Sequence, residues 1–287
     1  MLAECAPAKI NLCLRVTGRR ADGYHELDSI FLPIDWCDLV RIEIRSASEP
    51  RIDLRCNRPE LSDPATNLAA RAASAFAREY GLVAHIMIDL EKNLPAGAGL
   101  GGGSSDAGAV LRMTAAMSGV AIDSRLVRVA ASLGADVPFF LDPCPARVRG
   151  VGELIEPLPA MPKLFLVLAV PAIEVPTAKI FRALARGNWS GEIPAADLAA
   201  ILKGQVARGA MVNDLAAPAI AMYPGIAELK ALVEKHGAIA AAMSGSGGSV
   251  FGIFPDRAAA EDAARAIAIE APDARVVACE TLAAMAR

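Results

Sequence analysis

Apolar and polar residues alternate along several short stretches in the first half of the chain. In residues 39–45 (LVRIEIR) every second side chain is apolar from Val40 onward, and the intervening ones are charged. This period of two predicts a half-buried strand. The same alternation recurs at residues 52–54 and 86–90, and residues 6–17 are predicted as an earlier strand. Because the polar joins between these strands are short, we expect a first sheet that is at least partly antiparallel.

Other stretches repeat apolar residues every three or four positions, which predicts helices. Residues 66–80 and 123–133 show this spacing, and each is followed by a glycine, Gly81 or Gly134, as at many helix ends. Asp123 and Ser124 are candidate caps for the second of these helices. Further helices are predicted at residues 105–117, 225–236 and 257–270.

The pattern changes in residues 141–162, which contain five prolines and two glycines. We place the domain boundary near the end of this stretch, giving domains at residues 1–157 and 158–287. The second domain opens with the apolar run 164–170, and further strands are predicted at residues 238–243, 249–254 and 276–279. Strands mixed with helices in a segment of this size favour an α+β sandwich.

Composition narrows the class of protein. The 287 residues suit two modest domains or one large one, since single cores stop growing at about 250–300 residues. The 29 basic and 32 acidic residues form no block of like charge, which argues against a nucleic-acid partner. No apolar run is long enough for a membrane span, and the N-terminus lacks the features of an export signal. We therefore expect a cytoplasmic protein.

The six cysteines form no C-x-x-C pair, so neither a zinc site nor a redox motif is predicted. An even number of cysteines is compatible with disulfides. Scattered buried thiols are the favoured interpretation for a chain of this length without an export signal.

Residues 94–109 (LPAGAGLGGGSSDAGA) hold the most distinctive pattern, with five glycines among the first ten positions. A predicted strand precedes this stretch and an apolar helix follows it. A helix N-terminus leaves backbone N–H groups unpaired and carries partial positive charge, and glycine lets a phosphate approach the main chain closely. The stretch therefore predicts a phosphate-binding loop, to which the serine hydroxyls add donors.

Other interpretations of this loop are weaker. It does not end in Gly-Lys-Ser/Thr, so it is not a Walker A loop, and its single match to the letters of a dinucleotide fingerprint is a weak signal. A flexible linker is the remaining alternative, but a linker rarely joins a strand to a strongly apolar helix.

Two charged residues in apolar surroundings are candidate catalytic groups. Lys9 interrupts an apolar strand, where an unpaired ammonium is costly to bury; a solvated lysine on the polar face is the alternative. Asp136 lies in the turn LGADVP, where it is either a helix N-cap or a carboxylate placed to accept a proton. A nearby lysine would keep such a carboxylate ionised.

A second glycine-rich stretch, residues 243–249 (MSGSGGS), lies between two predicted strands. A simple turn is one interpretation. A turn rarely needs three glycines and three serines, so a second loop facing phosphate or substrate is also predicted.

Five motifs in this order resemble the GHMP kinase superfamily. They are PAKINL at 7–12, RADGYHEL at 20–27, LPAGAGLGGGSSDA at 94–107, LGADVPFF at 133–140 and SGSGGSVF at 244–251. Within that superfamily they are most similar to the subgroup whose substrate is methylerythritol, a sugar alcohol, linked to cytidine diphosphate. Enzymes of that subgroup phosphorylate the 2-hydroxyl of this substrate in the non-mevalonate pathway to isoprenoids. The resemblance implies a two-domain α+β kinase fold, with a mixed or antiparallel sheet first and a ferredoxin-like sandwich second.

The resemblance also implies roles, with ATP and Mg²⁺ as cofactors and a small-molecule acceptor. Asp136 resembles the base and Lys9 its supporting cation. The expected phosphate-binding residues are Pro95, Gly97, Gly99, Leu100, Gly101, Gly102, Gly103, Ser104 and Ser105. The expected substrate-binding residues are Asn11, Tyr24, His25, Thr177, Phe181, Gly245, Ser246 and Gly247. No metal ligand is identified, and no role is assigned to residues 143–149.

The chemistry of the side chains agrees with the pyrimidine-binding roles, because a base stacks on aromatic rings and an imidazole can contact its edge. His25 follows a tyrosine among turn residues, whereas His85 and His236 are expected to be structural.

Four alternatives stay open. They are a GHMP kinase for another alcohol such as homoserine or mevalonate, an ATP-using decarboxylase of the same superfamily, a non-catalytic nucleotide-binding module, and an RNA-binding module, which the acidic balance disfavours. The oligomeric state is not predicted.

Overall fold

The computed structural model describes residues 1–184, 187 and 189–283. Within them the strands are β1 Leu2–Arg19, β2 His25–Ser46, β3 Arg51–Cys56, β4 Ala84–Glu91, β5 Ala146–Gly150, β6 Leu154–Pro157, β7 Phe165–Val170, β8 Ala240–Met243, β9 Val250–Phe254 and β10 Arg275–Glu280. The helices are α1 Leu68–Tyr80, α2 Gly102–Met117, α3 Ser124–Leu133, α4 Thr177–Ala183, α5 Ala195–Leu202, α6 Ala216–Met222, α7 Gly225–Lys235 and α8 Arg257–Glu270.

The chain forms two compact units, and each is assembled from separate segments. The first unit comprises Met1–Ala8, Trp36–Pro95 and Gly101–Pro143. The second comprises Lys9–Asp35, Ala96–Leu100 and the described residues from Cys144 onward. The single domain boundary at residues 157/158 stays a prediction.

The first unit contains the strands whose alternating pattern the sequence displays. The second half of β2 pairs antiparallel with β4, from Leu39 opposite Glu91 to Ser46 opposite Ala84. β4 also pairs with β3, in parallel. The expected mixed sheet is confirmed. Its apolar face packs against α1 and α2, and residues of all three form one buried cluster.

Helix boundaries in the first unit follow local capping chemistry. The Asn67 side chain accepts a hydrogen bond from Ala69 N, so α1 begins at Leu68, two residues later than predicted. It ends before Gly81, whose φ is +66°. Asp123 caps α3 by accepting from the main-chain N–H groups of Arg125 and Leu126. Of the two predicted cap candidates for α3, Asp123 is the cap. The cap of α1, Asn67, was not predicted, although Asn and Asp are both favoured at this position.

The second unit contains a four-stranded sheet in the order β10-β7-β9-β8, with antiparallel neighbours throughout. Two helices of this part of the chain, α7 and α8, contribute Val233 and Ile267 to the core beside the sheet. A β-α-β-β-α-β succession with this strand order is the ferredoxin-like arrangement. The expected ferredoxin-like sandwich is therefore confirmed.

The first half of β2 is less easily recognised in sequence. β1 pairs with β2, and in the second unit β2 also pairs antiparallel with β5, which in turn pairs with β6. Residues 28–34 of β2 are buried on both faces, so they show no alternation. The sequence pattern therefore predicts no strand at residues 25–38.

His85 and His236, the two histidines expected to be structural, each contact a carboxylate. His85 Nε2 lies 2.8 Å from Asp53 Oδ2 across the β3–β4 pair, and His236 Nε2 lies 2.8 Å from Glu270 Oε1. Among the described residues, no helix combines the length and apolar character needed to cross a membrane.

Candidate active site

Two glycine-rich loops lie directly against each other in the second unit. A Cβ atom added to Gly99, whose φ is +76°, would lie 2.5 Å from the carbonyl oxygen of Ser244 and 2.7 Å from that of Gly247. The Ser249 hydroxyl donates to Ala98 O at 2.6 Å, and the Ser244 hydroxyl donates to Gly99 O at 3.2 Å. Glycine is therefore required here for both the backbone conformation and the close approach.

The predicted lysine lies in the same unit. The Lys9 ammonium donates to Asn11 Oδ1 at 2.6 Å and lies 4.4 Å from the centre of the Phe31 ring. Lys9 and Asn11 are only 4% and 2% exposed. The main-chain N–H of Lys9 donates to Leu100 O at 2.9 Å, which joins this strand to the glycine loop. The solvated-lysine alternative is excluded by this burial.

Asn11 is held by bonds on both sides of its amide. Its Nδ2 donates to the Ser29 hydroxyl at 3.0 Å, and that hydroxyl donates to Cys13 O at 2.6 Å. Its main-chain N–H donates to the Ser244 hydroxyl at 3.2 Å. This network fixes which amide atom faces Lys9, so the carbonyl oxygen orients the ammonium.

The second half of the predicted phosphate-binding loop belongs to the first unit, where it opens α2. Gly101 is the N-cap with φ +72°, and the Ser105 N–H makes the first helical bond, to Gly101 O. The N–H groups of Gly102, Gly103 and Ser104 precede that bond and have no intrahelical acceptor. Such a turn favours an anion through its free donors and helix dipole.

A buried lysine joins this helix turn to the end of β4. Lys92 donates to Asp38 and, at 2.6 Å, to Asp106 Oδ2, and Asp38 also accepts the main-chain N–H groups of Asn93 and Leu94. Burial raises the pKa of Asp106 to about 7, against the opposing effect of Lys92. Burial alone would lower the pKa of Lys92, but the two carboxylates raise it instead.

Asp136 also lies in the first unit, half-buried in the turn between α3 and a short 3₁₀ helix at Pro138–Leu141. The residue in the N-cap position of that 3₁₀ helix is Val137, whose side chain makes no capping hydrogen bond. Both interpretations of Asp136, as a helix cap and as a proton acceptor, stay predictions. Lys9 and Asp136 belong to different compact units, and their action as a pair stays a prediction.

Pro95, Gly97 and Leu100 lie in the loop between β4 and α2, and Ser104 and Ser105 lie in the first turn of α2. The Ser105 hydroxyl oxygen is buried and has no hydrogen-bond partner among the described residues. This hydroxyl is therefore a candidate contact for a ligand at the helix end.

An aromatic cluster of His25, Phe181 and Trp189 forms in the second unit. The rings of His25 and Phe181 stack with their centres 5.3 Å apart and an interplanar angle of 27°. Burial, together with the positive charge of Arg19, lowers the pKa of His25, which favours the neutral imidazole. Tyr24 is 66% exposed.

The remaining predicted substrate residues meet at the start of α4. The hydroxyl oxygens of Thr177 and Ser246 lie 2.6 Å apart. Gly245 and Gly247 flank Ser246 in the second glycine-rich loop, with φ values of +60° and +155°. The structure thus brings Thr177 to the 243–249 loop, and the binding role of these residues stays a prediction.

Two supporting groups escaped the sequence analysis. Asp28 is 1% exposed and accepts from Arg147 Nε and Nη2 at 2.8 and 2.6 Å and from Ile193 N at 2.8 Å. Burial would raise the pKa of Asp28, but these hydrogen bonds lower it. Asn213 donates to the carbonyl oxygens of Met243 and Gly245 and so holds the second loop. No local pattern marked Asp28, because the sequence predicts no strand at residues 25–38.

The sequence and structure match known kinases over most of the chain. Residues 67–142 match the GHMP kinases N terminal domain and residues 195–273 match the GHMP kinases C terminal domain. Both halves therefore place the chain among the GHMP kinases.

Proteins of one particular activity are 40–44% identical to this chain over most of its length. The 4-diphosphocytidyl-2-C-methyl-D-erythritol kinase of Anaeromyxobacter dehalogenans (strain 2CP-C) is 44% identical over 93% of this chain and 85% of its own. That of Rhizobium leguminosarum bv. trifolii (strain WSM2304) is 40% identical over 98% and 95%. The chain belongs to the family of 4-diphosphocytidyl-2-C-methyl-D-erythritol kinases.

Comparison with solved structures identifies the same family. A crystal structure of 4-(cytidine 5'-diphospho)-2C-methyl-D-erythritol kinase has a TM-score of 0.83 and 36% identity, covering 98% of this chain and 99% of that one. A homoserine kinase from Cytophaga hutchinsonii has a TM-score of 0.75 at 18% identity, with coverages of 98% and 94%. At that identity the second comparison shows the fold alone.

Proposed function

We propose that this ATP-dependent kinase transfers the γ-phosphoryl group of ATP to the 2-hydroxyl of 4-diphosphocytidyl-2-C-methyl-D-erythritol, in the non-mevalonate isoprenoid pathway. The observation that carries this choice of acceptor is the stack of neutral His25 on Phe181. A neutral imidazole offers one donor and one acceptor, which suits the edge of a cytosine. An acceptor without a base, such as homoserine or mevalonate, needs no such cluster.

The proposed chemistry is positioning and charge stabilisation, as in other phosphoryl transfers. The N–H groups at the start of α2 and the main chain of the glycine loops bind the triphosphate. Asp136 accepts the proton of the attacking hydroxyl, and the buried Lys9 ammonium stabilises the negative charge that develops. The bond from Lys9 to Asn11 supports this role because it fixes the ammonium before substrate binds.

The acceptor is proposed to lie along the Asn11 network. Asn11 is held on both sides of its amide, so it can present a fixed polar group to the methylerythritol hydroxyls. Thr177 and Ser246, together with the glycines of the 243–249 loop, provide further donors for the acceptor's diphosphate.

Mg²⁺ is proposed as the counterion of the triphosphate. It usually keeps several waters and takes one or two protein ligands beside phosphate oxygens. Among the described residues, no group of three or more His, Cys, Asp or Glu side chains is arranged to hold a metal ion. The unpartnered Ser105 hydroxyl fits a single protein ligand, and the ion would neutralise phosphate charge.

We also propose that the protein works in the cytoplasm, where ATP is supplied. All six cysteines are free thiols in this structure, as expected in a reducing compartment.

The test is ADP release from Mg-ATP with 4-diphosphocytidyl-2-C-methyl-D-erythritol, homoserine or mevalonate as the acceptor. We expect turnover with the first acceptor alone, and phosphorus NMR of the product should show a new phosphate on the 2-oxygen. Turnover only with homoserine or mevalonate would rule out the cytidine-linked substrate and leave the assignment as a kinase standing.

The role of Asp136 is tested by Asp136→Asn, which keeps the shape of the side chain and removes its basicity. A loss of about 10²–10⁴ in kcat is expected, the usual contribution of a general base. Asp273→Asn changes an exposed aspartate in the turn before β10 and is the matched control. Equal activity in the two variants would remove Asp136 from the mechanism.

A further inference from the structure

Trp189 lies at the aromatic cluster with its hydrogen-bonding group unused. Its ring is perpendicular to that of His25, with ring centres 6.1 Å apart. The indole Nε1 is buried and has no hydrogen-bond partner among the described residues. Burying a donor without an acceptor costs about 1–3 kcal/mol, and native structures pair the large majority of such groups. The indole N–H is therefore a donor for which the described residues supply no acceptor.

The segment that follows Trp189 is fastened to the rest of the second unit. The Ser190 N–H and hydroxyl both donate to Asp214, and Gly191 N donates to Val16 O at 3.2 Å. Ile193 N donates to the buried Asp28. Asp214 also accepts from Val16 N at 2.7 Å, so one carboxylate ties this segment to β1. The position of Trp189 is thus built into the fold.

We infer that Trp189 is a third recognition residue for the pyrimidine base, and that its indole N–H donates to the base's 2-carbonyl oxygen. This inference rests on the proposed function and names one more residue of the same site. An indole N–H only donates, so its partner must be an acceptor. Neutral His25 can serve the ring nitrogen or the exocyclic amine of cytosine, which leaves the 2-carbonyl oxygen for Trp189.

The two residues then have separable effects on base selection. Cytosine and uracil both carry the 2-carbonyl oxygen and differ at position 4. A donor to the shared oxygen strengthens binding of both bases, whereas a residue that contacts position 4 discriminates between them. Removing the indole N–H should therefore weaken both nucleotides equally.

The first experiment compares Trp189→Phe, which keeps an aromatic ring and removes the donor, with Trp36→Phe, which alters a buried tryptophan of the first unit. In Trp189→Phe we expect the KM of the cytidine-linked substrate to rise about two- to twelve-fold, the usual effect of one lost neutral hydrogen bond. The KM of ATP should stay within about twofold, as should all constants of Trp36→Phe. Calorimetric Kd values for CDP and UDP should rise by the same factor.

The second experiment uses fluorescence and needs no turnover. The chain has two tryptophans, so Trp189 is the only one in Trp36→Phe and Trp36 the only one in Trp189→Phe. Titration with CMP should change the emission of the former and leave that of the latter constant.

The outcomes separate this inference from the proposed function. An unchanged substrate KM in Trp189→Phe, with normal turnover by the wild type, overturns the role of Trp189 and leaves the kinase assignment intact. Absence of turnover by the wild type counts against the proposed function, and the CMP titration then decides the role of Trp189 alone. An emission that does not respond to saturating CMP overturns the inference.

Discussion

Replacing Gly99 by alanine tests the contact between the two glycine loops. At φ +76° an added Cβ would lie 2.5 Å from Ser244 O and 2.7 Å from Gly247 O. Carbon atoms normally approach carbonyl oxygens to about 3.3–3.6 Å, so relief of the closer contact requires the loops to separate by about 0.8–1.1 Å. Both contacts are with main chain, which cannot rotate away as a side chain can.

Two costs add in this variant. An L-residue with positive φ costs about 1–2 kcal/mol, and overpacking a close contact costs typically about 1–3 kcal/mol. We therefore expect Gly99→Ala to lower the free energy of unfolding by about 2–5 kcal/mol. Gly119→Ala is the matched control, because Gly119 has φ +68° and no atom within 4 Å of the added Cβ. It carries only the first cost, about 1–2 kcal/mol.

Urea unfolding of both variants and of the wild type measures these differences, and the KM for ATP measures the effect on the loop. Gly99→Ala should raise the KM for ATP, whereas Gly119→Ala should leave it unchanged. Equal destabilisation of the two variants would refute the reasoning, because it would mean that the loops separate at no cost.

Three further changes have expected outcomes. Lys9→Met should lower kcat about 10²–10³-fold with smaller changes in KM, since it removes a cation aimed at developing charge; steady-state kinetics beside the exposed-site control Lys203→Met measures this. Arg147→Met leaves Asp28 buried without its cation and should cost about 3–5 kcal/mol of unfolding free energy, which a second change, Asp28→Asn, should partly restore in urea unfolding. The pKa of Asp106 is raised from 3.8 to about 7 in the folded protein, so the folded state binds more protons than the unfolded state in that window. Stability should fall by at most about 4 kcal/mol as pH rises from about 4 to 7, and Asp106→Asn should remove this slope in unfolding measured at several pH values.

Local patterns predicted most of the elements because their signals lie within a few residues. The alternation in residues 39–45 indicates a strand in a sheet with one buried face. Gly81 follows the last turn of α1, where a positive φ is needed. Residues 25–38 gave no such signal, since burial of both faces removes the alternation. Here tertiary packing, not local preference, determines the strand.

The supporting contacts of the site could not be predicted for a different reason. Asp28 and Arg147 are 119 positions apart, and Asn213 reaches the 243–249 loop across about 30. Partners at such distances are fixed by strand register and chain connection, which no local pattern reveals. The motif resemblance located the residues expected to touch ligands but not the groups that hold them.

The fold by itself does not choose the phosphate acceptor. A homoserine kinase shares it with this chain, and function resides in sites carried by a fold. The glycine loops and the start of α2 suit any triphosphate donor, so the choice of acceptor must come from other residues. The aromatic cluster supplies such residues. His25 is the first residue of β2 and Phe181 lies on α4. Trp189 is positioned by the nearby Ser190 and Ile193, whose N–H groups donate to Asp214 and Asp28. Changes in this cluster should therefore alter which acceptor is used while leaving the handling of ATP intact.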